Sequence, residues 1–227
     1  MPYTAHVLNG FNPLEALENE WRGLFKQAES PNPFFSPEWV YTWLNHRGGR
    51  VFPVTLIVRD ADNQLVAAWP FFEYPAIGGR GLWVGLSDIA DCMEPLVIRR
   101  DAVLLKTVFE ALGQLLADYR FVWIPLLRGQ WVRDHLEPAL ASFPNLPIIR
   151  KRAPNHFIDL SAQPNFEGYL NGTLGPKTRK SLRYDARQVE QFGQVEYVTY
   201  RTPDDLLRFD VEMRSIEKVS WKGREKK

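Results

Sequence analysis

Cysteine is nearly absent: Cys92 is the one thiol in 227 residues, which excludes an internal disulfide. The four histidines are scattered, and none falls in an H-x-x-x-H or C-x-x-C spacing, so no zinc pattern is present. No apolar run reaches the roughly 18 uncharged residues of a membrane helix. The N-terminus, MPYTAHVLNGFNP, has neither the basic nor the apolar region of a signal peptide, and the cytoplasm is the expected compartment. A nucleophile constellation is also missing. Cys92 has no neighbouring His, and neither Ser36 nor Ser87 stands in a G-x-S-x-G elbow. His46, His135 and His156 are unpartnered in sequence and read as structural.

What is there suits a folded protein: 45% of residues are hydrophobic and 24% charged. At roughly 100 to 200 residues per domain, the length allows one large domain or one and a half. The net charge of +1 hides an asymmetry. Residues 1–149 carry 12 Lys/Arg against 16 Asp/Glu, a net of −4, whereas 150–227 carry 16 against 11, a net of +5.

Periodicity supplies the elements. TAHVL reads as a strand, followed by a helix with Asn12 as cap, Pro13 first inside and a Leu14, Leu17, Trp21, Leu24, Phe25 stripe. Ser36 caps a second helix, with Pro37 at its start and Trp39, Val40, Trp43 and Leu44 on one face. VFPVTLIVRD and QLVAAWPFFEY form a hairpin around DADN, with an interruption expected near Pro70. A strand, an acidic loop with Asp88, Asp91 and Glu94, and another strand lead to the long helix DAVLLKTVFEALGQLLAD. Strand RFVWIPLL, amphipathic QWVRDHLEPALASF and strands around PIIRKR and HFIDL complete an α/β layered pattern. From Pro164 the organisation begins again. Helices end at Gly193, strand QVEYVTY follows, and Thr202, Pro203 and Asp205 open a further helix with Leu206, Phe209, Met213 and Ile216 on one face.

Three groups of residues carry candidate chemistry. Asp88, Asp91 and Glu94 are placed to orient an amine or take its proton, although Asp is equally at home in turns. Arg179, Arg183 and Arg187 recur every four residues beside Leu182, Ala186, Val189 and Phe192. That stripe suits an anion such as a phosphate or lipid head group, or else a solvated face. Nucleic acid is disfavoured, because no aromatic platform is interleaved with the basic residues. Trp39, Trp43, Trp69, Trp83, Trp123 and Trp131 offer a sugar-binding cleft or packing surface. Their spacing favours packing, and Trp39 is kept with the acidic loop as a candidate substrate contact.

PFFSPEWVYTWL, the hairpin, GLSDIADCMEPLV, KTRKSLRYDARQVEQFG and SWKG occur in an order that resembles GNAT-type acyltransferases of the cellulose-biosynthesis CelD group, related to FemAB-like proteins. The resemblance implies a GNAT-like mixed sheet flanked by helices over residues 1–163. It also implies a linker with a basic helix over 164–193 and the beginning of a second GNAT-like lobe over 194–227. The activity it implies is transfer of an acyl group, acetyl in the simplest case, from acyl-CoA to an amine on a small molecule or saccharide, with polysaccharide or envelope biosynthesis as the setting.

In such a fold the CoA diphosphate rests on backbone N–H groups where a Gly-rich turn enters a helix. The corresponding place here, VIRRDAVLLK, has no glycine; Arg99 and Arg100 beside Asp101 read as a solvated pair. The donor site is therefore expected mainly beyond Lys227, with no metal and no catalytic residue assignable within the chain. Two other readings stand beside this one: a non-catalytic substrate-binding or scaffold lobe, and FemAB-like aminoacyl transfer. An unpaired edge at QVEYVTY implies self-association or pairing with a C-terminal lobe.

Overall fold

The computed structural model describes residues 3–47, 51–76, 78–84, 93–125, 127–141, 143 and 163–220. The chain divides into two compact units, residues 1–155 and 156–227.

The first unit is a mixed sheet covered by helices on both faces. Strand β1 (Thr4–Asn9) is followed by α1 (Phe11–Ala16), α2 (Glu18–Gln27), a 3-10 turn at Pro33–Phe35 and α3 (Pro37–Arg47). Then come β2 (Phe52–Arg59), β3 (Leu65–Ala76), β4 (Gly79–Trp83), β5 (Leu96–Val97), α4 (Ala102–Leu115) and β6 (Phe121–Trp123). The strand order is β1-β2-β3-β4-β6, with β5 also on β3. Neighbours are antiparallel except β4 and β6, a parallel pair joined through α4.

Central β2 is buried on both faces, so its sequence reads as a continuous apolar run rather than an alternation. Trp69, aligned with Leu56, meets Phe109 of α4 edge-on at 5.6 Å, while Phe72 on the opposite face meets Trp43 of α3 at 4.7 Å. Both buried indoles find acceptors, as polar handles in a core must. Trp21 Nε1 donates to the Phe35 carbonyl at 2.9 Å, and Trp69 Nε1 donates to the Met93 carbonyl at 3.0 Å.

Two local expectations are corrected. The hairpin is not interrupted at Pro70, since β3 runs through it with Pro70 opposite Thr55. The Ile98 N–H donates to the Val66 carbonyl, so alternation along β3 turns residues 66, 68 and 70 away from β2. Pro70 then faces the stretch between β5, which pairs at Ala67 and Ala68, and β4, which pairs from Phe72 onward. Its missing N–H interrupts no ladder. Second, α1 starts at Phe11, ahead of Asn12, and its cap is Gly10 at φ 92°. That left-handed backbone suits glycine, and the Gly10 N–H donates to the Pro53 carbonyl at 2.8 Å. The Ser36 cap is present, its hydroxyl accepting from the Trp39 N–H at 3.2 Å.

After β6, helix α5 (Gly129–Trp131) runs through a π turn at Val132–Leu136 into α6 (Glu137–Leu140). Pro138 lacks the N–H that an α-helix would direct at residue 134, and the wider turn lies just before it.

The second unit contains α7 (Phe166–Thr173), α8 (Pro176–Glu190) and α9 (Pro203–Val219). Asn165 caps α7, and Thr202 with Asp205 forms the expected capping box on α9. Residues 194–200, QVEYVTY, form no strand. Alternation alone cannot make one, because a strand's N–H and C=O groups need a neighbouring strand. The strands expected around PIIRKR and HFIDL lie outside the described residues.

Candidate functional site

The resemblance implies that a donor's diphosphate would sit at the start of α4 (Ala102–Leu115). One N–H of its first turn, and one just before its cap, have carboxylate partners. Asp101 Oδ1 accepts from the Leu104 N–H at 2.8 Å, and Glu29 Oε2 accepts from the Arg100 N–H at 2.9 Å. The Glu29 N–H in turn donates to the Ile98 carbonyl at 3.0 Å, which fixes that carboxylate beside the turn. Arg99 lies against the Tyr3 hydroxyl at 3.4 Å, and the Arg100 guanidinium sits over the Trp131 ring at 5.8 Å. A diphosphate approaching here meets the carboxylates of Asp101 and Glu29 beside the Arg99 and Arg100 guanidinium groups, and no glycine. These residues do not fit acyl-CoA.

Of the acidic loop, Glu94 is described and Asp88 and Asp91 lie outside the described residues. Glu94 is 7% exposed, and its two oxygens are held by Nε and Nη2 of Arg128, a bidentate pair that also draws in the Arg128 backbone N–H at 3.4 Å. So engaged, the carboxylate fastens residues 93–95 to the start of α5. Trp39 is 39% exposed on α3 and packs edge-on against Phe34 at 5.1 Å; no contact among the described residues joins it to Glu94.

The arginine stripe on α8 is split by its surroundings. Arg179 Nη1 donates to the carbonyls of Leu174 at 2.6 Å, Asn171 at 3.2 Å and Leu170 at 3.4 Å, closing the C-terminal end of α7. Arg183 and Arg187 are exposed. Exposed Tyr184 lies beside them, an aromatic that the stripe reading passed over. Among the described residues no group of His, Cys, Asp and Glu side chains could hold a metal ion, and no helix is long and apolar enough to cross a membrane.

A polar constellation that the sequence did not disclose lines a groove of about 620 Å³. It lies along the sheet and the C-terminal end of α4. Glu73 of β3 accepts from the Tyr119 hydroxyl at 2.8 Å and from Arg80 Nη1 of β4 at 2.7 Å. The Arg80 guanidinium also lies over the Tyr119 ring at 5.4 Å. Burial, reinforced by the hydrogen bond to Glu73, pushes the Tyr119 phenol up to about 12. Asn9, Phe52, Gln114 and Asp118 also line the groove. Glu73 and Tyr119 are 46 residues apart, and no local pattern announces their meeting.

The fold is thus that of a mixed α/β sheet flanked by helices, as the resemblance implies. In structure the chain is similar to an aminoglycoside acetyltransferase from an uncultured soil metagenomic sample, at 15% identity over 70% of this chain and 99% of that one, TM-score 0.39. It is similar also to glucosamine-6-phosphate N-acetyltransferase from Arabidopsis thaliana, at 10% identity over 70% and 100%, TM-score 0.37. A protein of Thermus thermophilus matches at 13% identity over 69% and 100%, TM-score 0.35. Likeness at this level assigns neither family nor activity. No family model matches the chain, and no curated protein matches it.

Proposed function

We propose that the chain is part of an N-acyltransferase of the GNAT type, related to the CelD group, moving an acyl group from acyl-CoA to an amine acceptor in polysaccharide or envelope biosynthesis. The first unit is its acceptor-side lobe. The observation that carries this reading is the mixed sheet in which a parallel β4–β6 pair is joined through α4, while Asp101 caps α4 and Glu29 accepts from the N–H of Arg100 just before it. The first feature agrees with the implied lobe; the second supports placing the donor outside this unit. Attack of an amine on a thioester needs a base, an oxyanion donor and a cradle for the diphosphate. The donor site accordingly lies outside the first unit, with α8 read as a linker helix.

The test is amine-dependent release of CoA from acetyl-CoA, with calorimetric titration of CoA alongside. These 227 residues are expected to give neither turnover nor CoA binding. CoA binding that weakens when Arg99 and Arg100 are replaced would overturn the assignment of the donor to another lobe. Tight, steeply salt-dependent binding of aminoacyl-tRNA would replace the reading with aminoacyl transfer.

A further inference from the structure

We infer that the groove bounded by β1, β2, β3 and the end of α4 is a carbohydrate-binding site, taking a neutral or amine-bearing pyranose. Its volume of about 620 Å³ falls within the roughly 300–1,000 Å³ of small-molecule sites.

The lining has the composition that a sugar ring demands. Phe52, 45% exposed, offers an aromatic face to the apolar C–H side of a pyranose. Around it are planar polar groups able to donate and accept in pairs, as vicinal hydroxyls require: the carboxamides of Asn9 and Gln114 and the carboxylate of Asp118. Gln114 and Asp118 are exposed near the end of α4, and none of the three makes a side-chain hydrogen bond among the described residues.

Glu73 has a different duty. It is already held by Tyr119 and Arg80, so its charge is offset within this trio. Asp118 is then the uncompensated charge of the lining. A protonated amine on the sugar is favoured, and a phosphate is repelled. None of these residues belongs to the start of α4 or to the acidic loop, and the proposal stands whether or not acyl transfer takes place.

The experiment is NMR titration of the 227-residue chain with glucose, glucosamine and glucose 6-phosphate, read at the side-chain amides of Asn9 and Gln114. Glucose and glucosamine are expected to shift both amides, and Asp118→Asn to weaken glucosamine about tenfold, the loss of one charge-assisted hydrogen bond. Gln114→Ala, read at Asn9, weakens both sugars; both substitutions are at exposed positions and leave the remaining amide spectrum in place. The proposal is overturned if neither sugar moves these amides, if the shifts survive both substitutions unchanged, or if glucose 6-phosphate binds as tightly as glucosamine. No donor is present, so a failed acyltransferase assay has no bearing on the result.

Discussion

Thr55 carries a hydroxyl buried to 1% exposure in β2, and that hydroxyl has no hydrogen-bond partner among the described residues. A buried polar group so placed keeps its desolvation cost uncompensated, so Thr55→Val is expected to stabilise the first unit by about 1 kcal/mol, measured as a higher urea midpoint at unchanged slope. Tyr119 sets a pH limit. Its phenol ionises near 10.0 when unperturbed and only at about 12 in the fold. Over that window the folded state keeps a proton that the unfolded state has lost, so stability falls as pH rises. Tyr119→Phe should flatten this part of the stability–pH curve, followed by chemical denaturation across the alkaline range. Neither residue could be singled out beforehand. Thr is an ordinary strand residue, and the meeting of Tyr119 with Glu73 depends on how β3 and the segment after α4 come together.

At the scale of elements, capping was the most legible feature where the signal was local. The Ser36 and Thr202 caps and the Asp205 capping box follow from a side chain reaching an N–H three residues away. Asn12 failed as a cap because the preceding turn, fixed by Gly10, brings the chain into its helix before that residue. On α4, Asp101→Ala should lower stability by about 1 kcal/mol, while Asp101→Ser should retain most of it, both read by thermal melts. The expected strand QVEYVTY is the opposite case. Its alternation is real, yet the element needs a partner that the described residues do not supply.

For the whole molecule, the distribution of burial predicts the distribution of stability. The core runs through α1 to α4, β2 to β5 and the α5–α6 segment, whereas α8 and α9 contain no buried residue. Amide exchange should therefore be slowest in β2 and β3 and fastest in α8 and α9, by orders of magnitude; comparable protection in α9 would contradict this distribution. The apolar face of α9, including Leu206, Phe209 and Ile216, was legible as a stripe, and its exposure of 42 to 57% was not.

Sequence alone determined the layered α/β class, the hairpin, the caps at Ser36 and Thr202 and the shift from an acidic to a basic half. Each depends on residues within a few positions of one another or on a simple count. Tertiary structure decided that Pro70 sits harmlessly within β3, that Glu94 is held by Arg128, that Arg179 closes α7 rather than joining an anion stripe, and that Glu29 reaches the Arg100 N–H just before α4. These depend on pairings across 5 to 71 residues, whose geometry is set by packing and strand register, and no local pattern of side chains encodes it.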